Sequence, residues 1–310
     1  MDWLLDPFAL GFQQRALLGG AIAGVMCSVV GTWLVLRGMS FFGDAFVHGI
    51  IPGIAAAVVL DASPVLGAAM AALVMVAGIA VVHRQTSLRE DTGIGLLFVG
   101  MLALGVVIIS TTDAYAGSLT SILFGDALGV TVPDLVVQAV LAVVVVTLAL
   151  LLYRPLLALA FDRTKAEALG MRPGRTHALL LLLIATAVIG SYQAVGTLLV
   201  FGLLVGPPAT AALLARTVPT MMGISVVVSL LSVGLGLLLS YHLGTAGSAT
   251  MALVPVVLFF LVLALTRFRA HGHRAALANG TADANGTGPG SGTASPARDP
   301  AAEPAPGSPT

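Results

Sequence analysis

The sequence predicts an all-α protein, a polytopic bundle of about nine transmembrane helices. Three observations predict it. Hydrophobic residues make up 58% of the 310 and charged residues only 9%, whereas a soluble domain carries about a quarter charged residues. The mean hydropathy is +1.03. Long apolar runs recur at the roughly 20-residue length that a helix needs to cross the hydrocarbon core.

Composition also excludes several classes. Net charge is zero, so nothing points to a nucleic acid or an acidic partner. Cys27 is the single cysteine, which rules out an intrachain disulfide or a cysteine-based metal cluster. The start, Met1-Asp2-Trp3, has no positive n-region and no small-residue cleavage site before the first apolar run, so it reads as uncleaved.

Taken in order, residues 1–14 (MDWLLDPFALGFQQ) carry Trp3, Phe8 and Phe12 among acids, as expected of a short interfacial segment. Spans follow near 15–37, 39–60, 63–83, 93–112, 132–153, 176–192, 196–215, 219–241 and 247–267. The sixth is short, and a tight turn around Ser191-Tyr192-Gln193 separates it from the seventh. The segment 118–129 (SLTSILFGDALG) is too short to span and reads as a surface or re-entrant piece. Glycine-rich spans, such as Gly19-Gly20 with Gly24 and Gly31, allow close helix packing and say nothing of a cargo. From about 268 to 310 the chain shifts to Ala, Gly, Pro, Ser and Thr. Such a tail buries too little surface to offset its ordering entropy and is predicted to be disordered. His271 and His273 within it read as solvated residues in preference to metal ligands.

Basic residues orient the bundle. With nine spans and the N-terminus outside, Arg37, Arg84, Arg89, Arg154, Arg163, Lys165, Arg172, Arg175 and Arg216 fall in inner loops. Arg267, Arg269, Arg274 and Arg298 follow on the same side, so thirteen of the fourteen Lys and Arg lie inside and Arg15 alone outside. The expected location is therefore the plasma (inner) membrane with a cytoplasmic C-terminus.

One stretch carries candidate chemistry: GMSFFGDAFVHGIIPG, residues 38–53. Asp44 and His48 are four residues apart and project from one face of the second span. The 1.5 Å helical rise places His48 roughly 13 Å along that span, near mid-bilayer. An ionisable group there costs about 3 kcal/mol or more unless it faces the protein interior or water and finds a partner. A carboxylate oxygen beside an imidazole nitrogen suits Zn²⁺ or Mn²⁺. The bland alternative is that Asp44 caps a helix restarting after Gly43 while His48 hydrogen-bonds to a neighbouring span.

Other chemistry lacks a candidate. The chain has one lysine and no G-x-x-x-x-G-K-[ST], no serine elbow and no HExxH. It is therefore expected not to be an enzyme and to hold no cofactor, and any ATP hydrolysis belongs to another subunit. The largest inner loop, 154–175 (RPLLALAFDRTKAEALGMRPGR), has Asp162 as a helix N-cap with Gly170 and Pro173 ending that helix. It suits docking to a cytoplasmic partner or, equally, serves as a solvated connector. Glu90-Asp91 before the fourth span read as acids favoured at a helix N-terminus.

These stretches resemble the permease subunits of bacterial ABC importers for zinc and manganese. VLRGMSFFGDAFVHGIIPGIA (35–55) is similar to the family's second-helix motif, and EDTGIGLLFVG (90–100) to its next inner-loop motif. FDRTKAEALGMRPG (161–174) resembles the coupling segment and AVGTLLVFGLLVGPPATAALLA (194–215) a later helix. With SYHLGTAGSATMAL (240–253), the likeness covers about residues 11–267. The Gly-Pro-Pro wording and the MSFFGD start look closest to a zinc-specific subgroup. The long tail is outside the common pattern.

The resemblance implies a type II ABC importer permease. It implies a homodimer of permease copies, a separate ATP-binding subunit and an extracellular metal-carrying solute-binding protein. It carries transit-path metal ligands onto Asp44 and His48, with Zn²⁺ or Mn²⁺ as cargo, and ATPase-coupling residues onto Asp162, Ala166 and Gly170. Two readings compete: a permease for iron-siderophore, haem or cobalamin, and an ATPase-independent secondary transporter. Large cargos suit a wide path without a mid-membrane carboxylate–imidazole pair, and ion-coupled carriers keep several intramembrane acids, where this chain places only Asp44.

Overall fold

A computed structural model describes residues 11–85, 90–110, 130–161 and 173–285. The described residues form helices and turns without a strand. In order they are α1 (Gly11–Leu36), α2 (Ser40–Gly49), α3 (Ile51–Val59), α4 (Pro64–Gln85), α5 (Glu90–Ser110), α6 (Val132–Leu151), α7 (Tyr153–Phe161), α8 (Pro173–Leu214), α9 (Val218–Leu243) and α10 (Gly247–Asn285). Among the described residues, nine helical stretches are long and apolar enough to cross a membrane. They match the nine predicted spans one for one.

Two junctions carry detail that the sequence reading lacks. The second span is two helices, α2 and α3, meeting at Ile50 and Ile51. Pro52 in the first turn of α3 has no N–H to bond back into α2, so the hydrogen-bond ladder is interrupted there, while Ile50 keeps right-handed angles of φ −83° and ψ −14°. The sixth span ends at Tyr192 and the seventh begins at Val195, next to the predicted turn, and the residue that leaves helical geometry at this junction is Gly196, with φ 76° and ψ 161°. Only glycine adopts that conformation readily.

Helix directions can be read from side-chain neighbours along α1, the central helix. Gln138 Nε2 donates to the Gly19 carbonyl, and Tyr153 meets Trp33 edge-on, so α6 and its continuation run parallel to α1. His177 meets Arg37 and Ser191 meets Cys27, so the stretch Pro173–Tyr192 runs antiparallel. Leu204 then returns to Gly31, which requires Val195–Leu214 to run back the other way. The sixth and seventh spans are therefore two spans joined at a buried turn. Non-helical backbone at membrane depth is tolerated where protein surrounds it, and Ser191, Tyr192, Val195 and Thr197 are all buried.

The same reasoning extends the alternation. Ser225 lies at Ser28 and Val233 at Gly20, so α9 is antiparallel to α1. Met251 packs at Gly236, turning α10 back again. The described spans of the first unit alternate throughout, and Gly11 and Leu265 end on opposite faces of the bundle.

The core is shared mainly by α1, α2, both halves of α8 and parts of α9. Trp33, Phe42, Phe46, Met26 and Ile184 are fully enclosed. By contrast α6 and the span in α10 expose long apolar rows, including Val136, Val140, Val143, Val257 and Phe260. Apolar side chains facing outward are what a lipid-facing helix needs.

Chain contacts divide at Leu265 into Met1–Leu265 and Thr266–Thr310. Helix α10 is described to Asn285, past the point near 268 where composition predicts the tail to begin. The rest of that tail and the interfacial residues before Gly11 lie outside the described residues. So does the segment 118–129.

Candidate functional site: an Asp–His pair on the second span

The site is built on α2. After α1 the chain turns at Gly38, whose φ of 66° is left-handed, and Met39 is the N-cap residue of α2. Helix α2 then runs unbroken from Ser40 through Gly49. Asp44 sits in its second turn and caps nothing. The interruption falls after His48 instead, at Ile50. Asp44 and His48 thus ride on one rigid helical turn.

Phe42, Gly43, Ala45, Phe46, Val47 and Gly49 bury the other faces of α2. Asp44 and His48 occupy the remaining stripe, with side chains 29% and 19% exposed, and the carboxylate Oδ1 lies 3.4 Å from the imidazole Nε2. That separation is slightly longer than an ordinary hydrogen bond and leaves both atoms with lone pairs or protons to offer elsewhere. The stripe continues to Phe41, which is exposed. Phe98 of α5 packs against both, its ring centroid 6.0 Å from Phe41 and 6.1 Å from the His48 ring. The imidazole is therefore held from one side by its own helix and from the other by an aromatic ring.

Chemically the pair offers one hard oxygen donor and one borderline nitrogen donor, the combination that suits divalent first-row metals. No group of three or more His, Cys, Asp or Glu able to hold a metal occurs among the described residues. Asp44 and His48 thus stand as a pair of potential donors on that stripe.

The predicted coupling residues Asp162, Ala166 and Gly170 lie outside the described residues. What is described on either side of them is informative. Tyr153–Phe161 is helical, with Leu156 and Leu159 buried, and the next helix begins at Pro173. The acids Glu90 and Asp91 open α5, the position that the macrodipole argument assigns them.

Sequence reasoning missed three features. Phe98 lies within the quoted motif 90–100, yet helical phase alone does not say which neighbour it meets. The Arg37–His177 contact joins residues 140 apart, beyond any local pattern. The break at Ile50 had a signal in Pro52, but the glycine at 43 drew the alternative reading to the wrong end of the motif.

Nine described helical stretches long and apolar enough to cross a membrane, one of them carrying a carboxylate–imidazole pair, are the build of a polytopic membrane protein. The sequence pattern described as the ABC 3 transport family matches residues 9–266, and the chain belongs to that family. It is 32% identical over 268 residues to a probable iron transport system membrane protein of Haemophilus influenzae, covering 86% of this chain and 98% of the relative. It is 34% identical over 255 residues to the manganese transport system membrane protein MntC of Listeria innocua, covering 81% and 89%. Among solved structures, PsaBC from Streptococcus pneumoniae in complex with Fab superimposes with a TM-score of 0.75 at 29% identity, covering 84% of this chain and 94% of that one.

Proposed function

We propose that the chain is the membrane-spanning permease of an ATP-driven importer for a divalent first-row metal ion, with Asp44 and His48 as its transit ligands. The observation that carries this reading is the placement of the pair. Both side chains share the one open stripe of α2, 3.4 Å apart, where an uncompensated charge in the bilayer is costly. A passing divalent cation compensates the carboxylate and uses the imidazole lone pair.

Two copies of the chain complete the site. Most soluble oligomers have closed two-fold symmetry, and extending that preference to a pair of permeases presents each ligand twice across the axis. Two carboxylates and two imidazoles make the four N/O ligands of a closed tetrahedral site. Separation of the two α2 helices then opens the site and releases the ion. An ATP-binding subunit docking on 154–175, with Asp162, Ala166 and Gly170 at the contact, drives that separation. An extracellular solute-binding protein delivers the ion, and the C-terminus is cytoplasmic, as the Lys and Arg distribution supports.

Zinc is the cargo supported by the wording of the 38–53 and 206–208 stretches. Manganese or iron is the second reading, supported by the names of the relatives. The ligands do not decide between them, because a given N/O site binds Zn²⁺ more tightly than Mn²⁺. Selectivity then falls to the delivering protein.

The test is uptake of labelled zinc and manganese by vesicles carrying the whole complex, with Asp44→Ala and His48→Ala in turn. Loss of uptake with assembly intact supports the site. Retention of normal uptake by both variants sinks it, and the ratio of the two ions taken up by the unaltered complex decides the cargo.

A further inference from the structure

The segment proposed to meet the ATP-binding subunit and the helix proposed to hold the ion are far apart in sequence, yet one turn of helix touches the flanks of both. That turn is the end of α1. Trp33 and Arg37 lie four residues apart, on one face. Trp33, almost fully buried, receives Tyr153 edge-on with ring centroids 5.5 Å apart. Tyr153 immediately precedes the segment 154–175. Arg37 meets His177, with Nη1 2.6 Å from Nδ1, and His177 lies just after that segment, in the first turns of α8. A guanidinium has donors and no acceptor, so Arg37 donates and the Nδ1 lone pair of His177 accepts.

The same turn is also joined to the metal helix by almost no slack. Arg37 is followed by Gly38 in a left-handed conformation and by Met39, the N-cap residue of α2. Backbone bonds from Gly38 N to Val35 O and from Met39 N to Leu34 O close the turn. Asp44 follows within the next helical turn and a half. Residues 153 and 177 are thus linked to Asp44 through the contacts of Trp33 and Arg37 and a three-residue corner.

We infer that Trp33 and Arg37 form a transmission clamp: they tie both flanks of the 154–175 segment to the corner that carries Asp44 and His48. They are positioning residues that touch neither the ion nor the nucleotide. Arg37–His177 is the polar half, whose geometry depends on direction, and Trp33–Tyr153 is the packed half. This inference rests on the proposed function, since it needs both an ATPase at 154–175 and an ion at the Asp–His pair.

The experiment uses the reconstituted complex and measures zinc and manganese taken up per ATP hydrolysed. Variants are Arg37→Met, Arg37→Lys, His177→Leu and His177→Gln, with binding of each metal measured on the same preparations. A coupling between sites is worth on the order of tenfold. Arg37→Met and His177→Leu are each expected to lower the ion-to-ATP ratio by about that factor while metal binding and assembly stay unchanged. Arg37→Lys retains a donor and His177→Gln an acceptor, so both keep most of the original ratio. The double variant Arg37→Met with His177→Leu is expected to be no worse than the worse single, because the two residues act as one unit.

An unchanged ratio in the apolar variants, additive losses in the double, or losses that the conservative variants fail to rescue each overturn the clamp. If Arg37→Met does not assemble, the contrast between His177→Leu and His177→Gln decides. Asp44→Ala is the reference for the underlying reading. If it still imports the ion, the site is wrong whatever Arg37 does; if it loses import while the apolar variants stay coupled, the clamp alone fails.

Discussion

Gly53 of α3 and Gly67 of α4 meet backbone to backbone. A Cβ placed on Gly53 falls 2.0 Å from the Gly67 carbonyl oxygen, and one on Gly67 falls 2.1 Å from that of Gly53. Small residues are what allow such approach between membrane helices, where packing replaces hydrophobic drive. The contact anchors the half-helix immediately beyond His48.

Gly53→Ala and Gly67→Ala are each expected to destabilise the protein by about 1–3 kcal/mol, the usual cost of overpacking. The obstructing atoms are backbone and cannot rotate away. Gly223→Ala is the control: nothing lies within 4 Å of its Cβ position, and alanine is the better helix former by about 1 kcal/mol. Thermal unfolding in detergent should show both interface variants melting earlier and Gly223→Ala melting no earlier than the parent.

Gly196→Ala tests the buried turn between the sixth and seventh spans. A side chain at φ 76° and ψ 161° costs on the order of 1–3 kcal/mol, and Val195 and Thr197 on either side are enclosed, so relaxation is restricted. Reduced yield of folded protein and a lower melting temperature are expected. A variant as stable as the parent would mean that the turn is not where the chain reverses.

Asp44→Ala and His48→Ala are expected to separate function from stability. Both side chains are partly exposed, so their removal is expected to cost about 1 kcal/mol or less, more for His48, whose ring meets Phe98. Zinc and manganese binding to the purified protein, read by calorimetry, should fall sharply in each variant while the melting curve of the metal-free protein shifts little. A large loss of stability with metal binding preserved would make the pair structural.

The start of α6 offers a test of local chemistry. The Thr131 backbone N–H donates to Asp134 Oδ2 at 3.1 Å, and the Thr131 hydroxyl oxygen accepts from the Asp134 backbone N–H, a reciprocal capping box. Thr131→Ala should cost about 1 kcal/mol, whereas Thr131→Ser keeps the acceptor. Hydrogen exchange in the first turn of α6 should quicken in the alanine variant only.

Number, length and order of the spans were legible in the chain because each depends on a local property. A run of apolar residues long enough to cross hydrocarbon is helical whatever surrounds it, since its backbone groups have no other partner there. The Asp44–His48 pair was legible for the same reason: four residues apart on a helix means one face, and the structure has them 3.4 Å apart. Even the acids at the start of α5 stand where local electrostatics favours them.

Contacts between spans were not legible, because they join residues whose separation in sequence carries no period. Arg37 meeting His177, Trp33 meeting Tyr153 and Phe98 closing on His48 are decided by which ridge of one helix fits which groove of another. The interruption at Ile50 and the non-helical Gly196 belong to the same category. Proline and glycine permit such departures at many positions, and packing selects the ones that occur. By itself, the sequence determined about nine helices of membrane length, the number found among the described residues, and which residues share a face on each. Only the tertiary structure decided which faces meet, because that choice depends on the summed fit of many side chains and not on any one stretch of chain.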